Sequence, residues 1–419
     1  MVGSLKAGYG KSDITPPLGV ELAGYGYYLK RKAERVRDPL YARAVALSQG
    51  EKKSLIVSCD LLGLNDSIVQ QVRQAAGLLG VDPDKVILVS IHTHSGPATI
   101  YHLGCGEVSE SYVEGLGKRI IAACKAAIDD LAPVDWAGSA LSPLKESYAY
   151  NRAIHDGPVD LMVRGLLLKR NPKQDIALVS YACHSVFLGR NTSVSADYSS
   201  EIHRLFAEEG RLSVFLNGLC GDIDPLPQQE CGREEQMQLF ARAIFEAFHI
   251  NLIPETHRLQ TGSLPCFLKT LQMSKEEIHA FADQAVSNSG HTKPHLARNI
   301  RLWEQEVLQK DPLPAGEALR LPFAILGNTC IIAFPFEGYT GMGELIRRYS
   351  GSERVITLGC SDQLLGYLPT LEDQGGGSYG ALESAFLYQR MPPLSGEAER
   401  LGKAIGILLK SEMEKNTHG

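Results

Sequence analysis

No stretch of this sequence stays apolar for the ~18 residues that a membrane-spanning helix needs. The longest apolar run, around residues 330–336, is interrupted by Pro335 and closed by Glu337, so stable membrane insertion is not expected. Basic clusters are missing too. The 42 basic residues are outnumbered by 48 acidic ones, giving a net charge of −6, and nothing stands out to neutralise phosphates. Nucleic acid and anionic membrane surfaces are therefore not expected partners. The first 13 residues contain no long apolar segment, so no secretory signal is expected there. Nine cysteines are present, an odd number, and no two are spaced C-x-x-C. Cys59, Cys124, Cys183 and Cys330 lie inside apolar runs, where a free thiol behaves as a small hydrophobe. The expected state is a reduced, cytoplasmic chain without a disulfide framework. Several catalytic signatures are absent as well: no G-x-S-x-G elbow, no P-loop, no H-E-x-x-H, and no G-x-G-x-x-G after a strand.

The composition that remains, 44% hydrophobic and 21% charged over 419 residues, is that of a globular protein. Short β-branched runs recur at 54–58, 86–91, 176–181, 213–216, 323–326, 330–334 and 354–357. Continuous apolar runs of this length predict strands buried on both faces. Helices are predicted over 67–79, 112–130, 199–209, 234–247, 343–349 and 394–412. The alternation predicts an α/β fold, with a central sheet flanked by helices. A hairpin through Gly327 and Asn328 makes that sheet mixed rather than purely parallel. Residues 273–311 are polar with a helical period and a turn-rich break at 287–293, which predicts a helical excursion on one side of the domain. Gly375–Gly377 reads as a glycine run in a long, bendable loop. No internal repeat is visible.

Polar residues stand at the ends of several apolar runs, where an α/β sheet presents its active-site loops. One run ends in His92-Thr93-His94-Ser95-Gly96-Pro97. Histidines at i and i+2 share a face if the chain stays extended, and imidazole is the commonest metal ligand. The alternative, a pair of structural histidines bonded to backbone, is equally open from H-x-H alone. A second run ends in Cys183-His184-Ser185. A third delivers Glu337 beside Gly338, where the glutamate is either a ligand or a cap for the following helix. The fourth leads into Gly221-Asp222-Ile223-Asp224-Pro225, open to metal binding, general base work or a simple turn. His, His and Glu form a common set for a catalytic zinc with an open coordination position.

In this order the motifs resemble those of the neutral/alkaline ceramidases, zinc amidases that cleave the N-acyl bond of ceramide. S-D-I-T-P at 12–16 with Gly24-Tyr25 is similar to that family's N-terminal A-D-I-T-G-P segment, and D-P-L-Y-A-R-A at 38–44 to its D-P-L-x-A-R-A strand. H-T-H-S-G-P at 92–97 resembles T-H-T-H-S-G-P, the most specific piece. Asn151-Arg152 with Val159-Asp160 resembles N-R-S…V-D, and G-D-I-D-P at 221–225 resembles G-D-V-S-P. Gly366-Tyr367 and Tyr379-Gly380 match its Y-V-T-T…Y-E-G pair at the same twelve-residue separation. The resemblance spans residues 7–385.

It implies one large ceramidase-like catalytic domain over 1–419, with the excursion at 273–311 and no C-terminal β-rich domain. It places one zinc on His92, His184, Glu337 and Tyr367; other divalent metals suit the same donors. It places His94, Arg152 and Tyr379 at the scissile carbonyl and substrate polar groups. Two departures stand out. The family's catalytic serine position is Asp224 here, and no C-terminal β-rich domain is expected after the catalytic motifs. The expected activity is hydrolysis of an amide or ester-like bond in a small-molecule substrate through a metal-activated water, with Asp224 as general base. The alternatives are a deacetylase, esterase or lactonase acting on a small polar or sugar-like metabolite, and a non-catalytic metal-binding homologue. Asp197, Asp222 and Asp224 are candidates for a second ion. Oligomeric state stays open, a homo-oligomer included.

Overall fold

The computed structural model describes residues 3–226, 232–289, 294–310 and 312–418. The predicted strands and helices are present, with ends shifted by a few residues, and the architecture is α/β with mixed sheets flanked by helices. Among the described residues there are three larger sheets, with three two-stranded ones beside them. The first runs in the order Val86–Ser90, Lys52–Cys59, Tyr41–Gln49, Lys6–Asp13, Ala132–Pro133. The second runs Leu212–Asn217, Lys173–Tyr181, Met162–Arg170, Trp136–Pro143, Leu252–Pro254. The third runs Val355–Leu358, Thr329–Ala333, Gly316–Leu326, Leu259–Lys269.

All three follow one topology that the sequence conceals. In each, two antiparallel strands lead through a tight hairpin into a third. A helix then crosses over to a fourth strand lying parallel to that third one. The crossover helices are Asp66–Leu78, Tyr198–Glu208 and Thr340–Ser350, and a second helix follows each unit: Glu110–Asp129, Arg233–Ile250 and Glu397–His418. Period-2 burial explains how the units meet. Along Tyr41–Gln49, Val45 and Leu47 face inward, while Ala42, Ala44 and Ala46 face the helices, where small side chains allow close approach. Inward residues from the three sheets, among them Val45, Ile56, Leu178, Leu216, Ile331 and Leu358, form a shared apolar core. The outer faces are covered by helices.

The excursion consists of two helices, Lys275–Ser289 and Pro294–Leu308, inserted between the first two strands of the third unit. Of the predicted break at 287–293, residues 290–293 lie outside the described part. Gly375 and Gly376 end a short helix, Leu371–Gly376, and Gly377 turns the chain at φ +68°. The glycine run is thus a helix C-terminus, not the middle of a loop. The eight described cysteines are free thiols. Among the described residues, no helix is long and apolar enough to cross a membrane.

Candidate active site

The carboxyl ends of the parallel strand pairs converge from all three units. His92 and His94 follow Val86–Ser90 of the first unit. His184 follows Lys173–Tyr181, and Asp222 and Asp224 follow Leu212–Asn217, of the second. Glu337 follows Thr329–Ala333, and Tyr367 lies beyond Val355–Leu358, of the third. Short ladders lock these loops together. Glu337–Gly338 pairs in parallel with Tyr367–Leu368, so that Glu337 lies opposite Tyr367. Ile223–Pro225 pairs with Ala149–Asn151, which brings Asp224 beside Tyr150 and leads straight to Arg152. A bridge between Thr93 and Ser185 links the two histidine loops. At Gly221 a Cβ would stand 2.4 Å from the Glu337 carbonyl oxygen, so only glycine lets the second and third units approach this closely.

The two histidines of H-x-H converge, but not because the chain stays extended. The strand ends at Ser90, and His92 adopts φ +63°. That strained turn brings the His92 and His94 ring centroids to 5.2 Å, and those of His92 and His184 to 4.9 Å. Ligand-capable atoms of His92, His94 and His184 all lie within 4.8 Å of one another.

Hydrogen bonding fixes the tautomers. His92 Nδ1 lies 2.8 Å from the Leu62 carbonyl oxygen, and His184 Nδ1 lies 3.1 Å from that of Ile223. A carbonyl can only accept, so each Nδ1 carries a proton, and the Nε2 atoms are the ring nitrogens left to turn toward the site. Both Nε2 atoms face the same carboxylate oxygen: Glu337 Oε2 is 3.0 Å from His92 and 3.2 Å from His184. Burial alone would raise the Glu337 pKa, but positive charge carried by His92 and His184, in the place a bound cation would take, holds the carboxyl well below its ordinary range. Burial and the Arg152 charge push His184 below the usual histidine value. Burial, then the neighbouring His92 and His184, push His94 well below it. Both His94 ring nitrogens are buried without a partner. Lone pairs and a carboxylate crowded in this way repel one another unless a cation lies among them, so the donor set fits a divalent metal of the zinc class.

Arg152 ties the site together. Its Nη2 donates to Tyr367 Oη at 2.8 Å and to the Gly221 carbonyl at 2.9 Å, and it approaches His184 Nε2 at 3.1 Å. Its Nη1 is 3.2 Å from Asp224 Oδ1. Burial works against the charge, but Tyr367, Asp224 and Glu337 keep the guanidinium firmly protonated. Tyr379 opens a π-helical turn and sets its ring 5.5 Å from that of Tyr367, edge to face. Burial keeps both phenols protonated in the absence of a cation. His94 is wedged between Tyr25, 4.9 Å away, and Gly24, where a Cβ would stand 2.3 Å from His94 Nδ1.

All eight candidate residues therefore meet at one place. Of the second-ion candidates Asp224 is among them, while Asp222 and Asp197 are engaged by other partners. Asp222 accepts from Thr340 N, Thr340 Oγ1 and Asn151 Nδ2. Asp197 accepts from the backbone of Phe187, Leu188 and Tyr198. Both carboxylates are saturated by donors and serve as loop staples. Glu337 is no helix cap either; Tyr339 occupies that position. Sequence reasoning missed Tyr388, whose hydroxyl donates to Glu337 Oε1 at 2.6 Å. Its one signal is that it closes the apolar run Ala385-Phe386-Leu387 just after Tyr379-Gly380.

No protein-family model matches the chain, and no curated protein matches it in sequence. Solved structures do match. The neutral ceramidase of Pseudomonas aeruginosa superposes with a TM-score of 0.75 at 16% identity, covering 98% of this chain and 75% of that one. A ceramidase complexed with C2 gives 0.73 at 15%, covering 98% and 76%. Identity this low speaks for the fold, and nearly the whole of the chain takes part in it. This chain has the fold of the neutral ceramidases.

Proposed function

We propose that the protein is a zinc-dependent hydrolase of an amide or ester-like bond. The observation that carries this reading is the convergence of His92 Nε2 and His184 Nε2 on the Glu337 carboxylate oxygen Oε2, next to a partnerless His94. His92, His184, Glu337 and Tyr367 would hold the metal. Bound there, zinc supplies a Lewis acid that polarises a carbonyl oxygen and brings the ionisation of water toward neutral pH.

The chain's own residues do the rest. Asp224, about a quarter exposed beside Arg152, is the general base: it takes a proton from the attacking water and returns it to the leaving group. Arg152 and the protonated Tyr379 aim donors at the oxygen where negative charge develops, which in a water-poor site is worth several kcal/mol. His94 stays neutral, with one ring nitrogen free to donate and the other free to accept. The Asp224–Arg152 ion pair sits on the accessible side of the site, each side chain about a quarter exposed. That polarity favours a short acyl group and a polar, sugar-like leaving group over a long lipid chain. Deacetylase or lactonase chemistry on a small metabolite is therefore the second reading.

Elemental analysis of wild type and His184→Ala, purified without added metal, tests the site. The expected result is about one zinc per chain, lost in the variant. Turnover of short-acyl against long-acyl amides, esters and lactones then separates the two substrate readings. A well-folded protein with no stoichiometric metal overturns the hydrolase mechanism.

A further inference from the structure

We infer that Tyr388 is the positioning residue for Glu337, and that the helical excursion exists in part to hold Tyr388 in place; this rests on the metal reading above. A carboxylate has two equivalent oxygens and a broad, twofold terminal torsion, so without a second anchor Glu337 could offer either oxygen or both. Tyr388 removes that freedom. Its hydroxyl donates to Oε1 at 2.6 Å, which leaves Oε2 to face His92 at 3.0 Å and His184 at 3.2 Å. Both residues are buried, Glu337 at 1% exposure and Tyr388 at 8%.

Tyr388 is in turn fixed from two sides. Its ring stacks on His102, with centroids 4.2 Å apart and planes at 26°. The two residues before it, Phe386 and Leu387, pack into a cluster with Ile278, Ile300 and Trp303 of the excursion. Immediately after it the chain turns at Gln389, φ +53°, and Trp303 Nε1 donates to the Arg390 carbonyl at 2.8 Å. Asn299 Nδ2 donates to the Leu103 carbonyl at 3.1 Å, next to His102. Both halves of the Tyr388–His102 stack are thereby tethered to the helix Pro294–Leu308. The excursion reaches the site through this hydroxyl and through Tyr379, which packs against the same cluster.

Zinc alone is the probe. Full-length wild type, Tyr388→Phe, His102→Phe and His102→Ala are titrated against a chromophoric chelator, and each is melted after metal removal. Loss of an outer hydrogen bond to a metal ligand typically weakens metal affinity by ~10–100-fold, and that fall is expected for Tyr388→Phe, with the metal-free melting temperature changed by only a few degrees. His102→Phe keeps the stack and should retain wild-type affinity, whereas His102→Ala should lose part of it. A folded Tyr388→Phe with wild-type zinc affinity overturns the inference. Should that variant not fold, an undiminished affinity in His102→Ala overturns it instead. A wild type that binds no zinc at all overturns the metal reading, and this inference with it, before any variant is compared.

Discussion

Exchanging Glu337 for glutamine should move two quantities in opposite directions. In the metal-free protein the carboxylate oxygen Oε2 faces the His92 and His184 Nε2 atoms at 3.0 and 3.2 Å. A glutamine keeps the volume, can still accept from Tyr388 and can donate its amide N–H to either imidazole. One gained hydrogen bond is worth ~1 kcal/mol. Unfolding entropy of ~2.1 cal/mol/K per residue gives roughly 0.9 kcal/mol/K for a chain of 419 residues. Metal-free Glu337→Gln should therefore melt at or about 1 °C above metal-free wild type. Zinc reverses the order. At a zinc concentration 100 times the wild-type Kd, wild type gains ~2.7 kcal/mol, and a variant bound ~100-fold more weakly gains only ~0.4. Wild type should then rise roughly 2–3 °C further than the variant. Differential scanning calorimetry with chelator and with buffered zinc reads both arms. A glutamine variant that keeps the wild-type zinc response, or loses several kcal/mol in its metal-free form, would refute the reasoning.

Three further outcomes are expected. Asp224→Ala should retain zinc while turnover falls ~10²–10⁴-fold, the scale of lost acid–base catalysis; an unchanged kcat removes Asp224 from that role. Gly24→Ala places a Cβ where His94 Nδ1 stands, at φ +83°, and should cost ~10²-fold in turnover through misplacement with zinc content intact. Loss of the metal in that variant would instead put His94 among the ligands. Burial raises the Asp197 carboxyl to about 6, despite three backbone N–H donors that pull the other way. Its folded pKa thus lies above its unfolded value, so its contribution to stability is fullest below ~4 and is lost as pH rises through 6. The stability difference, wild type minus Asp197→Asn, should fall by ~2 kcal/mol between pH 4 and pH 6, read from calorimetric unfolding across that range; a pH-independent difference contradicts the shift.

The sequence by itself marked part of the local structure and the candidate residues of each loop. Apolar runs such as 86–91 and 176–181 marked the buried strands, because a strand covered on both faces can hold few polar side chains. The residues at their ends, His92, His184 and Glu337, were legible because a polar group directly after such a run has few reasons to be there. The motif spacing around Arg152, Asp224, Tyr367 and Tyr379 did the rest through the family resemblance. Amphipathic or solvent-edged strands such as Leu259–Lys269, with Gln260, Pro265 and Lys269 along it, carry no such signal and went unseen.

Only the tertiary structure decided what those loops do together. The three units share a topology but not a sequence, since an apolar core of this kind specifies the pattern and volume of side chains rather than their identity. The convergence of His92 and His94 comes from a left-handed residue imposed by the surrounding loops, not from the i, i+2 spacing. Asp222 and Asp197 could be separated from Asp224 only once their donors were known. Tyr388 sits 51 residues from Glu337 in the chain and within one hydrogen bond of it in space. No period, motif or composition encodes such a pair, because its partners are brought together by packing between the excursion and the third unit, after the local structure is already formed.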